Sequence, residues 1–287
     1  MVIERDVRLD DGRVLHAYDS GPDAAARLVL VWHHGSPQTG APLEPVLAAA
    51  AARGIRVLSY GRPSYGGSSS HPGRDVASSA ADVAAVADAF GVDRFAAMGA
   101  SGGAPHALAG AALLPGRVVG AVSIAGIAPY TDAFDWFDGM RSPGGLRAAL
   151  HGREARERFA ETEEFDPEQF LPSDFAALEG EWASLGADVG RSEQFGPGGL
   201  IDDDVAFTMP WGFELDQVRA PVLLVQGEGD RVVPRRHAAW LLSRLPRAQL
   251  WMRLDDGHVS VLSTVPDAMD WLLANAREAG GSAGLRP

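Results

Sequence analysis

Gly99-Ala100-Ser101-Gly102-Gly103 follows an apolar run, Phe95 to Met98, and opens onto a stretch with helical apolar spacing, Ala104 to Leu114. A strand that enters a helix through a serine flanked by glycines predicts a sharp turn with the hydroxyl raised above the sheet. The glycines two residues to either side allow the close backbone approach that such a turn demands. Five letters of this kind are common in a chain rich in glycine and serine, so the neighbouring sequence must support a nucleophile. A plain helix cap is the simpler role for Ser101.

Two later loops supply that support. Ala220 to Gln226 reads as a buried strand, and Gly227-Glu228-Gly229-Asp230 sets an acid just past its carboxyl end. Gln249 to Leu254 reads as the next strand and runs into Asp255-Asp256-Gly257-His258. Ser101, Asp230 and His258 thus follow the chain order nucleophile, acid, base. Parallel sheets gather their sites at the carboxyl ends of the strands, where loops distant in sequence meet. Asp216 precedes its strand and belongs to the opposite edge, whereas Asp255 and Asp256 are alternative partners for the ring of His258. Asp230 could otherwise cap the helix that begins near Pro234, and His258 could be a surface loop residue.

The remaining chain fits an α/β layout. Val2 to Leu9 and Val14 to Tyr18 predict a hairpin about Asp10-Asp11-Gly12, followed by parallel strands over Leu28 to Trp32 and Ile55 to Ser59. Helical spacing over Pro42 to Arg53, Asp75 to Phe90 and Ala104 to Leu114 alternates with these strands, which predicts a mostly parallel sheet covered on both faces. Val118 to Ala125 closes the first half. From Ile127 to Glu214 the alternation stops and short helical pieces broken by Pro and Gly take over. The expected organisation is a core first half over 1–126, a helical cap insertion over 127–214, a core second half over 215–278 and a flexible tail over 279–287. The Gly and Pro of the insertion suggest hinges for a lid.

Two further loops carry a resemblance to a known family. Leu28 to Trp32 leads into His33-His34-Gly35-Ser36-Pro37, which is similar to a His-Gly-x-Pro oxyanion loop. Tyr60-Gly61-Arg62-Pro63-Ser64-Tyr65-Gly66-Gly67-Ser68 resembles the loop after the following strand, with Gly61 where an aspartate is usual. With the turn at Gly99–Gly103 (the elbow), the loop carrying Asp230, and Gly257-His258, the chain resembles the α/β-hydrolase superfamily over nearly its whole length. The overall plan resembles that of a prolyl iminopeptidase or esterase with a helical cap. The resemblance implies Ser101 as nucleophile, His258 as general base and Asp230 as the acid that orients it. It implies backbone N–H groups of Ser36 and Gly102 as the oxyanion hole, with His34 and Gly35 supporting the loop. Prolyl iminopeptidases usually carry an aromatic residue after the nucleophile, where this chain has Gly102. No metal or organic cofactor is expected.

Composition narrows the function classes. The chain has 287 residues, a net charge of −13, no cysteine and 46% hydrophobic residues, enough for one large domain. Ile127 to Glu214 holds 19 acids against 6 arginines, so this stretch accounts for the chain's whole excess. Nucleic acid and anionic membranes require basic patches and are poor partners. No apolar run is long enough to span a membrane and no signal peptide is evident, so a cytoplasmic location is expected. The acids are expected to solvate the outer surface of the cap, with inward-facing acids that recognise a substrate amine as the alternative. Asp202-Asp203-Asp204 reads as a solvated turn or helix start, and His106 as a packing residue with its ring satisfied. Met209 and Trp211 are candidate substrate contacts. The expected substrate is a small hydrophobic ester, thioester or lactone. Amide or carbon–carbon bond cleavage, acyl transfer, lyase chemistry or a non-catalytic binding module are the alternatives.

Overall fold

The computed structural model describes residues 2–21 and 25–281. The chain begins with an antiparallel hairpin, β1 (Ile3–Arg8) and β2 (Val14–Asp19). Its turn passes through Gly12 at φ 87°, a left-handed conformation that glycine adopts without steric cost. Six parallel strands follow: β3 (Leu28–His33), β4 (Ile55–Tyr60), β5 (Phe95–Ala100), β6 (Val118–Ile124), β7 (Val222–Gly227) and β8 (Ala248–Arg253). The sheet order is β1-β2-β4-β3-β5-β6-β7-β8, with β2 antiparallel to β4.

Alternation along the strands sends successive side chains to opposite faces, and both faces are covered. On one face Val31, Phe95, Ala97 and Leu224 pack against α2 (Ser78–Ala89), α3 (Ala104–Leu113) and α9 (Arg236–Arg244). On the other, Leu30, Met98, Leu223 and Val225 pack against α1 (Glu44–Ala51) and α10 (Val265–Gly281). Each fully buried Leu or Val contributes about 1.5–3 kcal/mol, so the central strands are the most firmly held part of the frame. Every residue of β5 and β7 is buried, whereas the edge strand β1 buries only Val7.

Between β6 and β7 the chain leaves the sheet and forms five helices: α4 (Gly144–Ala149), α5 (Arg153–Ala160), α6 (Pro172–Glu179), α7 (Ala183–Ser192) and α8 (Gly198–Thr208). Asp202, Asp203 and Asp204 lie within α8 and are buried, which corrects the expectation of a solvated turn. The expected tail over 279–287 begins too early, because α10 continues through Gly281. Residues 282–287 of that tail lie outside the described residues. No helix among the described residues is long and apolar enough to cross a membrane.

Candidate active site

Four loops meet at the carboxyl edge of the sheet. β5 ends at Ala100, and Ser101 begins a tight 3-10 turn over Ser101–Gly103 that leads into α3. Ser101 has φ 51°, which costs a non-glycine residue about 1–3 kcal/mol and is sustained here by the packing around it. The turn is possible only because its neighbours lack side chains. A Cβ on Gly99 would lie 2.2 Å from Gly103 O, and one on Gly103 would lie 2.0 Å from His33 O.

From the other side of β6, the loops after β7 and β8 bring up Asp230 and His258. With Nδ1 protonated, His258 donates to Asp230 Oδ2 at 2.8 Å and accepts the Ser101 hydroxyl proton at Nε2 across 2.9 Å. Asp230 is itself fixed: Oδ1 accepts from Val232 N–H and Val233 N–H, both at 2.9 Å, and Oδ2 from the buried Gln226 amide at 3.1 Å. These bonds leave Asp230 aimed at the ring. Burial opposes protonation of His258, but the charge and hydrogen bond of Asp230, joined by the charge of Asp174, hold it above its ordinary value. Asp256 instead pairs with Arg253 at 3.2 Å, and Asp255 and Asp216 are exposed.

The loop after β3 lies against the elbow, since β3 and β5 pair with His33 opposite Gly99. A Cβ on Gly102 would lie 2.3 Å from Ser36 Oγ and 3.4 Å from the Phe207 ring, so a larger residue there requires Ser36 to move. Internal bonds define the loop. His34 Nδ1–H donates to Gly35 O at 2.6 Å, its Nε2 accepts Arg62 N–H at 3.1 Å, and Gly35 N–H donates to Gln38 Oε1 at 2.6 Å. Ser36 N–H takes no part in these bonds.

Arg62 and Asp203 anchor that loop from behind. The Arg62 guanidinium donates to His34 O at 2.5 Å, Ser36 Oγ at 2.9 Å and Asp203 Oδ2 at 2.7 Å. Asp203 also accepts from Ser36 Oγ at 2.5 Å, Tyr65 Oη at 2.9 Å and Arg74 at 2.6 Å. Burial alone would raise its carboxyl, but the two arginines outweigh that and hold it well below the usual carboxylate range. His106 Nε2 lies 3.5 Å from Asp203 Oδ1, too far for a good hydrogen bond, and neither ring nitrogen has another partner. The expectation of a satisfied His106 is therefore corrected. Burial, then the charge of Arg62, lowers this ring to about 4 and keeps it neutral.

A cavity of about 360 Å³ opens beside Ser101 and His258. Trp32, Leu43 and Leu262 line it from the sheet side, and Phe165, Phe170, Leu178, Leu185 and Val189 from the inserted segment. Among the described residues, no acidic or arginine side chain faces it. Met209 and Trp211 are not in its wall. Met209 is 51% exposed at the end of α8, and Trp211 is buried near the start of α2, its carbonyl accepting from Ala77 N–H at 2.8 Å. The segment just after α8 meets the start of α2, so neither residue reaches the cavity, whose cap-side wall comes from residues of 165–189.

Most acids of the inserted segment are exposed, as expected of a solvated outer surface, but five are buried. Asp174, Asp188, Asp202, Asp203 and Asp204 are buried, yet each meets protein donors and none meets the cavity. Asp188 accepts from Thr39 N–H at 3.0 Å and Thr39 Oγ1 at 2.6 Å, and Asp204 from Arg156 at 2.6 Å. Asp202 accepts from Ser64 Oγ at 3.1 Å and pairs with Arg153. The sequence pattern suggests a solvated turn or helix start for Asp202, Asp203 and Asp204 and no role for Asp174 or Asp188. The available signal was three acids set among Ile201, Ala206 and Phe207 in a helical pattern, where an acid needs a buried partner.

A family model described as alpha/beta hydrolase fold matches residues 29–264. The chain belongs to this family. Among curated relatives, a pimeloyl-[acyl-carrier protein] methyl ester esterase of Aromatoleum aromaticum is 40% identical over 86 residues, covering 29% of this chain and 34% of the relative. One of the same description from Nitrosomonas europaea is 44% identical over 50 residues, or 17% and 20%. The matches thus span about a third and a fifth of those relatives' length. A thermophilic esterase from Thermogutta terrifontis superposes with a TM-score of 0.70 at 18% identity, covering 96% of this chain and 99% of that one. An enol-lactonase from Burkholderia xenovorans gives 0.67 at 18% identity, covering 92% and 98%. These structures are alike in fold.

Proposed function

We propose that this α/β-hydrolase is a serine hydrolase that cleaves a small hydrophobic carboxylic ester, thioester or lactone through an acyl-enzyme. The observation that carries the proposal is the continuous chain from Ser101 Oγ to His258 Nε2 and from His258 Nδ1 to Asp230, at the wall of an apolar cavity. A serine hydroxyl becomes an effective nucleophile only when a neighbouring base takes its proton.

In the first half-reaction Ser101 Oγ adds to the substrate carbonyl carbon as His258 takes the hydroxyl proton. Asp230 holds the ring in the tautomer that can accept at Nε2 and stabilises the imidazolium. The carbonyl oxygen becomes an oxyanion, received by the backbone N–H groups of Ser36 and Gly102. Collapse breaks the bond to the leaving group, which departs with the proton from His258. Water then gives a proton to His258 and attacks the acyl-enzyme, and the acid leaves as Ser101 recovers its proton. The inserted segment serves as a cap whose apolar side chains receive the uncharged part of the substrate. The lack of an acid in the cavity wall disfavours recognition of a substrate amine. The two curated relatives named as methyl ester esterases share the bond class.

The test is labelling with a fluorophosphonate probe together with turnover of p-nitrophenyl acetate, butyrate and octanoate. Wild type should label and turn over, and Ser101→Ala and His258→Ala should lose both. A wild-type protein that neither labels nor turns over any of the esters overturns the proposal.

A further inference from the structure

The loop that carries His258 is held by a second carboxylate, from the inserted segment rather than from the sheet. Asp174 is fully buried at the third position of α6. Its Oδ1 accepts from Val259 N–H at 2.7 Å, Ser260 N–H at 2.8 Å and Ser260 Oγ at 3.1 Å. Its Oδ2 accepts from Leu171 N–H at 2.8 Å. One side chain thereby caps two helix starts, its own and that of the 3-10 turn Ser260–Thr264. Ser260 Oγ in turn accepts from Gly257 N–H at 2.8 Å, so the backbone is pinned on both sides of His258. The approach is close enough that a Cβ on Gly257 would lie 2.1 Å from Asp174 Oδ2, which explains the glycine before the histidine.

Resting on the reading of His258 as the general base, we propose that Asp174 is a positioning residue for it, fixing the ring's reach to Ser101 from across the inserted segment. Its position gives it a second effect. The charged groups acting on the ring are Asp230, from the loop after β7, and Asp174, from α6. Within the ring's own loop Asp256 is paired with Arg253, and the cavity wall facing the ring has no charged side chain. Asp174 favours the imidazolium, so removing its charge makes the base neutral at lower pH.

The experiment compares Asp174→Asn and Asp174→Ala with wild type by pH–rate profile and by fluorophosphonate labelling rate. Asp174→Asn keeps one acceptor oxygen. Its acid limb of kcat/KM should move to lower pH by about half a unit or more, a shift that a purely structural role would not produce. Asp174→Ala frees the amides of Val259 and Ser260, and its kcat should fall on the order of 100-fold with KM little changed. If wild type labels and turns over, while Asp174→Asn keeps the wild-type limb and Asp174→Ala keeps wild-type kcat, this proposal is wrong and the serine hydrolase stands. If wild type is itself inert, the hydrolase reading fails first. Should Asp174→Ala not fold, the limb of Asp174→Asn decides alone.

Discussion

Replacing Asp203 by asparagine tests how the cap is joined to the oxyanion loop. Arg62, Arg74 and Asp203 are 1%, 2% and 0% exposed at their side chains, so two cations and one anion share a site without water. That leaves one net positive charge. Asp203→Asn raises the excess to two, whereas Arg74→Met lowers it to zero while keeping the Arg62 pair. Removing one partner of a buried ion pair costs about 3–5 kcal/mol, because the charge left behind keeps its desolvation penalty. At about 2.1 cal/mol/K per residue of unfolding entropy, a chain of this length should lose about 5–8 °C in Tm. Arg74→Met should cost less by about 2 kcal/mol or more, since it leaves no unpaired charge. Urea unfolding followed by tryptophan fluorescence at pH 7 measures both. The pH dependence has a definite sign. A carboxyl depressed on folding adds stability that is complete above its unfolded value and is lost as pH falls through the folded one. Asp203→Asn should therefore narrow its deficit toward acid pH. Equal costs for the two variants, or a deficit in Asp203→Asn that stays constant below pH 4, would refute the charge count.

Three further outcomes are expected. The acid limb of kcat/KM should lie above 6.5, because His258 is held above that ordinary value and must be neutral to accept the Ser101 proton; a limb below about 6 contradicts the environment described for the ring. Leu185→Trp fills the cavity from the cap side and should lower kcat/KM for octanoate about 10-fold or more while sparing acetate, measured across the p-nitrophenyl esters; parallel losses on both would remove Leu185 from the acyl site. Gly102→Ala drives a methyl into Ser36 and should cost kcat on the order of 100-fold, as loss of one oxyanion donor does. Adding Ser36→Gly should recover part of that loss, and a strictly additive double variant would show that the contact is not the cause.

What could be read from the sequence was what local order controls. Strand periodicity and the glycines about Ser101 located the turn, and the ends of β7 and β8 put Asp230 and His258 on the same edge. The environment of Gln226 was hidden, because a polar residue within an apolar strand declares a buried partner without naming it. Asp203 was misread for a similar reason. Its partners Arg62 and Tyr65 lie 141 and 138 positions away, and only the packing of α8 over the loop after β4 shows that all are dry. Met209 and Trp211 do not line the cavity, because proximity in sequence to the return into β7 does not set which side of the inserted segment faces Ser101. The usual aspartate is absent at Gly61, yet its loop remains ordered through the neighbouring residue. Arg62 binds His34 O and Ser36 Oγ directly, and a Cβ at position 61 would lie 2.6 Å from Tyr65 O.

The buried aspartates also decide how a cap of this kind can move. Asp203 ties α8 to Ser36 and Arg62, Asp188 ties α7 to Thr39, and Asp174 ties α6 to Val259 and Ser260. Swinging the inserted segment away as one body would break all three attachments together. It would also strip Arg62 and Arg74 of their common anion, at about 3–5 kcal/mol before any other contact is counted. The same motion would release the Ser36 loop and the His258 loop, so an open lid would be an inactive one. The expected Gly and Pro hinges therefore cannot act on the segment as a whole while the site stays assembled. Phe165 and Gln169 belong to a different stretch of it: they line the cavity ahead of α6, Phe165 is 63% exposed, and none of the three aspartate attachments falls between them. Displacement there changes the cavity mouth while Asp174, Asp188 and Asp203 keep their partners. In this arrangement the few buried aspartates, not the exposed acids that give the segment most of its charge, join it to the loops of Ser36 and His258.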